Sequence, residues 1–242
     1  VAKRLRRYTV VAGNSITIPE FFSNRYRDKS RILVAVSAIF IVIFFIPYTA
    51  SGFAACGKLF STLFGVSYVP AMIVSAIVIV AYTALGGFSA ASTTDLIQSI
   101  VMSFALICVV LFGVKTAGGT DVILSQAGEL PGYLSMTQTY MNGEATEYGA
   151  IKIASMLAWG LGYFGMPHIL LRFMAIEDEK KIKISRRIAT VWVVISMSVA
   201  IFIGIVGNNL SRNGALQVLE GSDSEKLIIT LGTLMSKSGF LG

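Results

Sequence analysis

Long uncharged stretches alternate along the chain with short charged ones. No position from Ile32 to Gly57 carries a charge, and none does from Leu59 to Thr94. A membrane-crossing helix needs about 20 predominantly apolar residues. That length predicts five spans, at about 32–57, 70–88, 96–114, 153–171 and 188–210. Pro70 suits the first turn of the second span, where a missing N–H costs nothing. Taken singly, the shorter stretches would also fit a buried core helix. Five in succession argue for a bilayer.

Composition strengthens that choice. Only 14% of the 242 residues are charged and 55% are hydrophobic, whereas soluble domains carry about 25% charged residues. The net charge of +7 could suggest nucleic acid, but its distribution argues otherwise. Residues 1–31 and 172–187 together hold 14 of the 20 basic residues. Four spans separate these segments, so they face the same side, which the positive-inside rule makes the cytoplasm. Residues 115–152 and 211–242, rich in acids, then lie outside. The expected protein is an all-α multi-pass protein of the cell membrane, with lipid as its surroundings and no nucleic-acid partner. Cys56, Cys108 and the single histidine, His168, supply no disulfide framework and no metal site. The chain starts at Val1, without a methionine, and stops at Gly242 in a polar stretch, as expected of a fragment of a longer protein.

Local patterns add detail. Thr17-Ile-Pro-Glu20 has capping-box spacing, and the helix it starts carries Phe21, Phe22 and Tyr26 beside Arg25 and Arg27. That helix either lies on the membrane surface or packs on the protein. Ser196, Ala200 and Gly204 recur every four residues, a spacing that lets helices approach closely.

The chemistry concentrates in Trp159-Gly-Leu-Gly-Tyr-Phe-Gly-Met-Pro-His168. Three glycines and a proline predict a broken helix at 159–167, because proline removes a donor and glycine loosens the ladder. Freed backbone groups inside a membrane need a partner, and broken helices often build transporter sites. A plain kinked helix with packing glycines is the competing reading. Trp159 and Tyr163, four apart, share a helical face.

The run from Trp159 to His168, continued by Ile-Leu-Leu-Arg172-Phe-Met-Ala175, resembles the sodium/solute symporter family, most closely its proline-carrying branch. Ile18-Pro-Glu-Phe-Phe-Ser-Asn-Arg25, Tyr48-Thr-Ala-Ser-Gly52, and Ala81-Tyr-Thr-Ala-Leu-Gly-Gly-Phe88 with Thr94-Asp95 fit the same family. Met166 stands where many proline carriers have glutamine. The resemblance implies a five-plus-five inverted-repeat fold of which this chain holds core helices three to seven. It implies sodium-coupled symport of a small amino acid, with proline the first choice and another small organic solute the alternative. It places the substrate at Trp159, Gly160, Tyr163, Pro167 and Tyr48, and makes Asp95 a waypoint for sodium. The main sodium ligands are expected on helices outside this chain.

Each assignment has a plainer rival. Tyr48 could be satisfied by a neighbouring helix. Ser92-Thr-Thr-Asp95 is itself a capping-box pattern. His168 reads as a satisfied helix residue in preference to a proton relay. A sensory membrane domain fused to a signalling kinase is a second functional class. An enzyme is not expected, because no span contains paired carboxylates, a histidine cluster or a metal motif.

Overall fold

The computed structural model describes residues 1–141, 143–219 and 221–239. The last three positions of the predicted outer segment 211–242 lie outside the described residues, as does Glu220. Nine α-helices, a 3-10 turn and one β-hairpin follow in order among the described residues. Among the described residues four helices are long and apolar enough to cross a membrane, counting the interrupted pair within Ala150–Ala175 as one: Ile32–Phe64, Tyr68–Thr116, Ala150–Ala175 and Lys181–Arg212. The chain is a multi-pass membrane protein.

The count of four differs from the five predicted spans because the second and third share one element, α4 (Tyr68–Thr116). Inside it, Gly87 has φ 56° and ψ −147°, a conformation open essentially to glycine alone. A Cβ on Gly86 would lie 2.2 Å from the Ala90 Cβ, where a straight helix keeps such neighbours about 5–6 Å apart. The chain therefore folds sharply at Gly87, separating residues 68–86 from 88–116. This corrects one expectation: Ser92–Asp95 lie within the second segment and do not cap its start. Thr94 Oγ1 donates instead to the Ala90 carbonyl, at 2.8 Å.

The chain forms two compact units. The first comprises residues 1–50 and 148–192. It contains α1 (Ala2–Val11), α2 (Ile18–Tyr26), the start of α3 (Ile32–Phe64), α6 (Ala150–Tyr163), α7 (Pro167–Ala175) and the start of α8 (Lys181–Arg212). The N-cap at α2 forms, with the return bond from Glu20 reaching the residue before the cap. Thr17 Oγ1 accepts the Glu20 N–H at 3.3 Å, and the Glu20 carboxylate accepts the Ile16 N–H at 2.9 Å. Asp28 prepares the next helix by accepting the Leu33 N–H at 2.8 Å and the Ser30 hydroxyl at 2.6 Å. Those bonds hold its carboxyl below the ordinary aspartate value. Both α1 and α2 pack on α7, and Arg25 lies 5.1 Å over the Tyr8 ring to join α2 to α1. Of the two readings of α2, this contact favours a helix packed on protein.

The second unit comprises residues 51–147 and 193–242. Its core gathers Leu106 and Val109 of α4, Ile123 of α5 (Thr120–Gly128), Ile203, Val206 and Leu210 of α8, and Leu231 of α9 (Leu227–Lys237). Spacings of three and four along α8 put its buried residues on one face. A Cβ on Gly113 would sit 2.6 Å from Val206 Cγ1, so this glycine lets α4 and α8 meet. The stripe of small residues lies outside this contact: among the described residues Ala200 is exposed and a Cβ on Gly204 would touch nothing within 4 Å. The hydrophobic pattern also gives no sign of a hairpin between β1 (Gln138–Met141) and β2 (Glu144–Glu147), paired antiparallel with Gln138 opposite Glu147. Those residues alternate too weakly to read as strands.

Candidate functional site

Helix α6 ends at Tyr163 and α7 begins at Pro167. The interruption has a local cause. A residue before proline is pushed out of the helical region, and Met166 accordingly sits at φ −66°, ψ 121°. Pro167, lacking an N–H, then occupies the first turn of α7. Around the break the backbone closes in tight turns. The Gly165 N–H donates to Gly162 at 3.0 Å and the Met166 N–H to Tyr163 at 3.3 Å, while the Ile169 and Leu170 N–H groups share the Met166 carbonyl.

The residues singled out in the sequence distribute unevenly. Trp159 and Tyr163 lie one turn apart on α6 and are 70% and 50% exposed. A Cβ on Gly160 or Gly162 would meet nothing within 4 Å, so neither glycine serves packing within the chain. Asp95 lies on the exposed side of α4, in the other unit.

Tyr48, one residue past Pro47 in α3, comes to the break. Its ring stacks on His168 with centroids 5.7 Å apart and planes 17° apart. Phe45, three residues earlier, meets the same imidazole at 5.7 Å and 69°. Pro167 precedes His168 as the first residue of α7.

His168 departs from its expected role. Its Nδ1 is buried and has no hydrogen-bond partner among the described residues, in contrast to the satisfied helix residue expected. The signal for it was present in the order Met-Pro-His, which puts the imidazole in the first turn after a backbone break. Arg6 and Glu179 make contacts outside those expected from the sequence. Arg6 Nη1 donates to the Met174 carbonyl at 2.7 Å, and Arg7 pairs with Glu179 at 3.0 Å. The visible hint was an acidic Glu177-Asp178-Glu179 run inside an otherwise basic segment.

A helical membrane protein whose span is broken at mid-length, with aromatic side chains around the break, has the build of a secondary transporter. Comparison with known proteins agrees. The model of the Sodium:solute symporter family matches residues 1–242, and the chain belongs to that family, which is one of transporters. The sodium/proline symporters of Staphylococcus aureus strains USA300 and Newman are each 38% identical to it over 207 residues. The match covers 86% of this chain and 39% of each relative. No solved structure matches.

Proposed function

We propose that the chain is the central part of a carrier that couples sodium entry to uptake of a small amino acid, proline, by alternating access. The interruption between α6 and α7 carries this reading, because it sets aromatic side chains beside a broken backbone inside a span. Identity of 38% with named sodium/proline symporters supports the choice of solute.

In this reading the chain supplies core helices three to seven of a five-plus-five inverted repeat. Trp159, Gly160, Tyr163, Pro167 and Tyr48 line the solute site. The open faces of Trp159 and Tyr163 are met by helices outside this segment, which also bring the main sodium ligands. An indole and a phenol suit a small amphipathic amino acid, since each joins an apolar face to a hydrogen-bonding tip. Asp95 is a waypoint for sodium on its way to the cytoplasm, and residues 1–31 and 172–187 face that side. Sodium and proline favour the same conformation, and this linkage is the coupling.

The test is uptake of radiolabelled proline into proteoliposomes holding the full-length protein. Accumulation driven by an inward sodium gradient is expected. Uptake indifferent to sodium, or none, overturns the reading.

A further inference from the structure

Residues 1–31 hold eight basic residues but only two acids, Glu20 and Asp28. Both acids are occupied by backbone. Glu20 accepts the Ile16 N–H ahead of α2, and Asp28 accepts the Ser30 and Leu33 N–H groups ahead of α3. Arg6 is engaged with α7, Lys3 and Arg7 with Glu179, and Arg25 with the Tyr8 ring. Arg4, Arg27, Lys29 and Arg31 pair with no acid among the described residues. Two of these four also sit on a costly backbone. Arg27 and Arg31 have φ 53° and 58°, the left-handed region that favours glycine. Arg27 closes α2 there, at a place usually given to glycine. Two guanidinium groups are thus carried where a smaller residue would fit better, and nothing in the chain uses them.

Their depth in the membrane is set by the chain itself. The apolar run of α3 begins at Ile32. Lys29 and Arg31, three and one positions earlier, are therefore kept within about 11 Å of the start of the span, at the level of the headgroup layer. Helix α1 adds an apolar component. Leu5, Arg6 and Thr9 form its inner face, which α7 covers, so Arg4, Tyr8 and Val11 fall on the opposite face. Val11 is 78% exposed, as is 70% of Tyr26 at the end of α2. Tyrosine, with an apolar ring and a polar tip, favours the membrane–water interface. Both helices thus pack on α7 by one side and leave the other open.

We propose that the open side of α1 and α2 docks on anionic phospholipid headgroups, with Arg4, Arg27, Lys29 and Arg31 as the phosphate contacts. Charge complementarity selects this occupant: cations without acids, at headgroup depth, face a surface that is continuously negative. Val11 and Tyr26 enter the interface beside them. The docking fixes the pair of helices that packs on α7, and it holds whichever solute is carried.

The experiment uses the full-length protein in bilayers of phosphatidylcholine mixed with phosphatidylglycerol. A fluorophore is attached to Tyr26→Cys in a background without other cysteines, and one lipid or the other carries a nitroxide quencher high on its acyl chain. Nitroxide-bearing phosphatidylglycerol should quench the label several-fold more than phosphatidylcholine at equal mole fraction. Raising the salt to about 1 M, where charges are screened beyond roughly 3 Å, should remove the difference. Arg27→Gly with Arg31→Gly deletes two charges while giving each turn the residue its backbone favours, and should lower the preference without unfolding the segment. Arg4→Gln, which touches neither turn, should lower it as well. Equal quenching by both lipids would mean contact without recognition of charge. Quenching by neither would mean that another part of the protein, or another macromolecule, covers this side. A preference that survives all three substitutions would mean that other groups hold the lipid. Each of these results overturns the inference and leaves the transport reading untouched.

Discussion

Arg6 Nη1 donates to the Met174 carbonyl at 2.7 Å, joining two residues 168 positions apart. Met174 is the next-to-last residue of α7, so its carbonyl is one of the four that a helix leaves without an internal donor. A guanidinium there also offsets the negative end of the helix dipole. Helix α7 is therefore held at both ends. The rings of Phe45 and Tyr48 grip its first turn through His168, and α1 caps its last. Because α7 is the second half of the interrupted span, the basic segment at residues 1–11 is tied to the element that carries the break.

The tie includes a charge pair that can be exchanged. Arg7 and Lys3 lie 3.0 and 3.9 Å from Glu179. Arg7→Glu should free α1 from the end of α7, and adding Glu179→Arg should restore it. Spin labels at Arg4 and Lys180 would show a broadened distance distribution in the single variant and a narrow one in the exchange. The hydrogen bond from Arg7 holds the Glu179 carboxyl below the ordinary glutamate value, and the charges of Arg7 and Lys3 add to it against some desolvation. A depressed carboxylate favours the docked state above its unfolded value and loses that effect as pH falls through its folded value. Acidification should therefore broaden the wild-type distribution, while a rise from neutral pH should not. A narrow distribution in Arg7→Glu would show that the pair does not hold α1.

Sidedness follows from the basic segments. With residues 172–187 in the cytoplasm, a cysteine in place of Lys181 should resist an impermeant thiol reagent in intact cells. One in place of Gly143, in the hairpin turn, should react. The reverse pattern would invert the topology.

The fold at Gly87 should be intolerant of a side chain. Its φ of 56° with ψ −147° costs a non-glycine residue about 1–3 kcal/mol. Gly87→Ala should lower the melting temperature of the purified protein. Gly52→Ala is the control, since a Cβ there meets nothing within 4 Å and alanine is the better helix former. Equal melting temperatures would mean that the sharp fold is absent from the membrane-embedded protein.

Asp95 is the only acid between Asp28 and Asp121, and it no longer has a capping role to explain it. Asp95→Asn should raise the sodium concentration needed for half-maximal proline uptake, because an acid near a membrane pathway can attract the ion. Loss of uptake through lower abundance alone, with sodium dependence unchanged, would remove Asp95 from the pathway.

Trp159→Ala and Tyr163→Ala should each weaken proline binding by roughly 5–150-fold, the equivalent of about 1–3 kcal/mol for one aromatic contact. Tyr163→Phe keeps the ring and deletes the hydroxyl, so it separates stacking from hydrogen bonding. Radiolabelled proline binding to the full-length protein measures all three. Unchanged binding in both alanine variants would place the pair against lipid.

Much of this protein is determined by its sequence without reference to the fold. Uncharged runs such as Ile32–Gly57 can only be accommodated in a bilayer, because transfer of so much apolar surface from water outweighs every local preference. The break before Pro167 is also largely local, since a proline disfavours the helical conformation at Met166 and glycines stand close before it, whereas Pro47, without them, is carried inside α3. The sharp fold at Gly87 is permitted by a glycine but not dictated by one, because glycine also continues helices, as Gly52 does inside α3. Packing decided the rest. Only three-dimensional proximity could set Tyr48 and Phe45 against His168, or bring Arg6 to Met174, because partners more than 100 residues apart in a chain leave no periodicity to read. On α8 the same holds: small residues at four-residue spacing permit a close approach, but the approach among the described residues is at Val206, where the opposing helix offers Gly113.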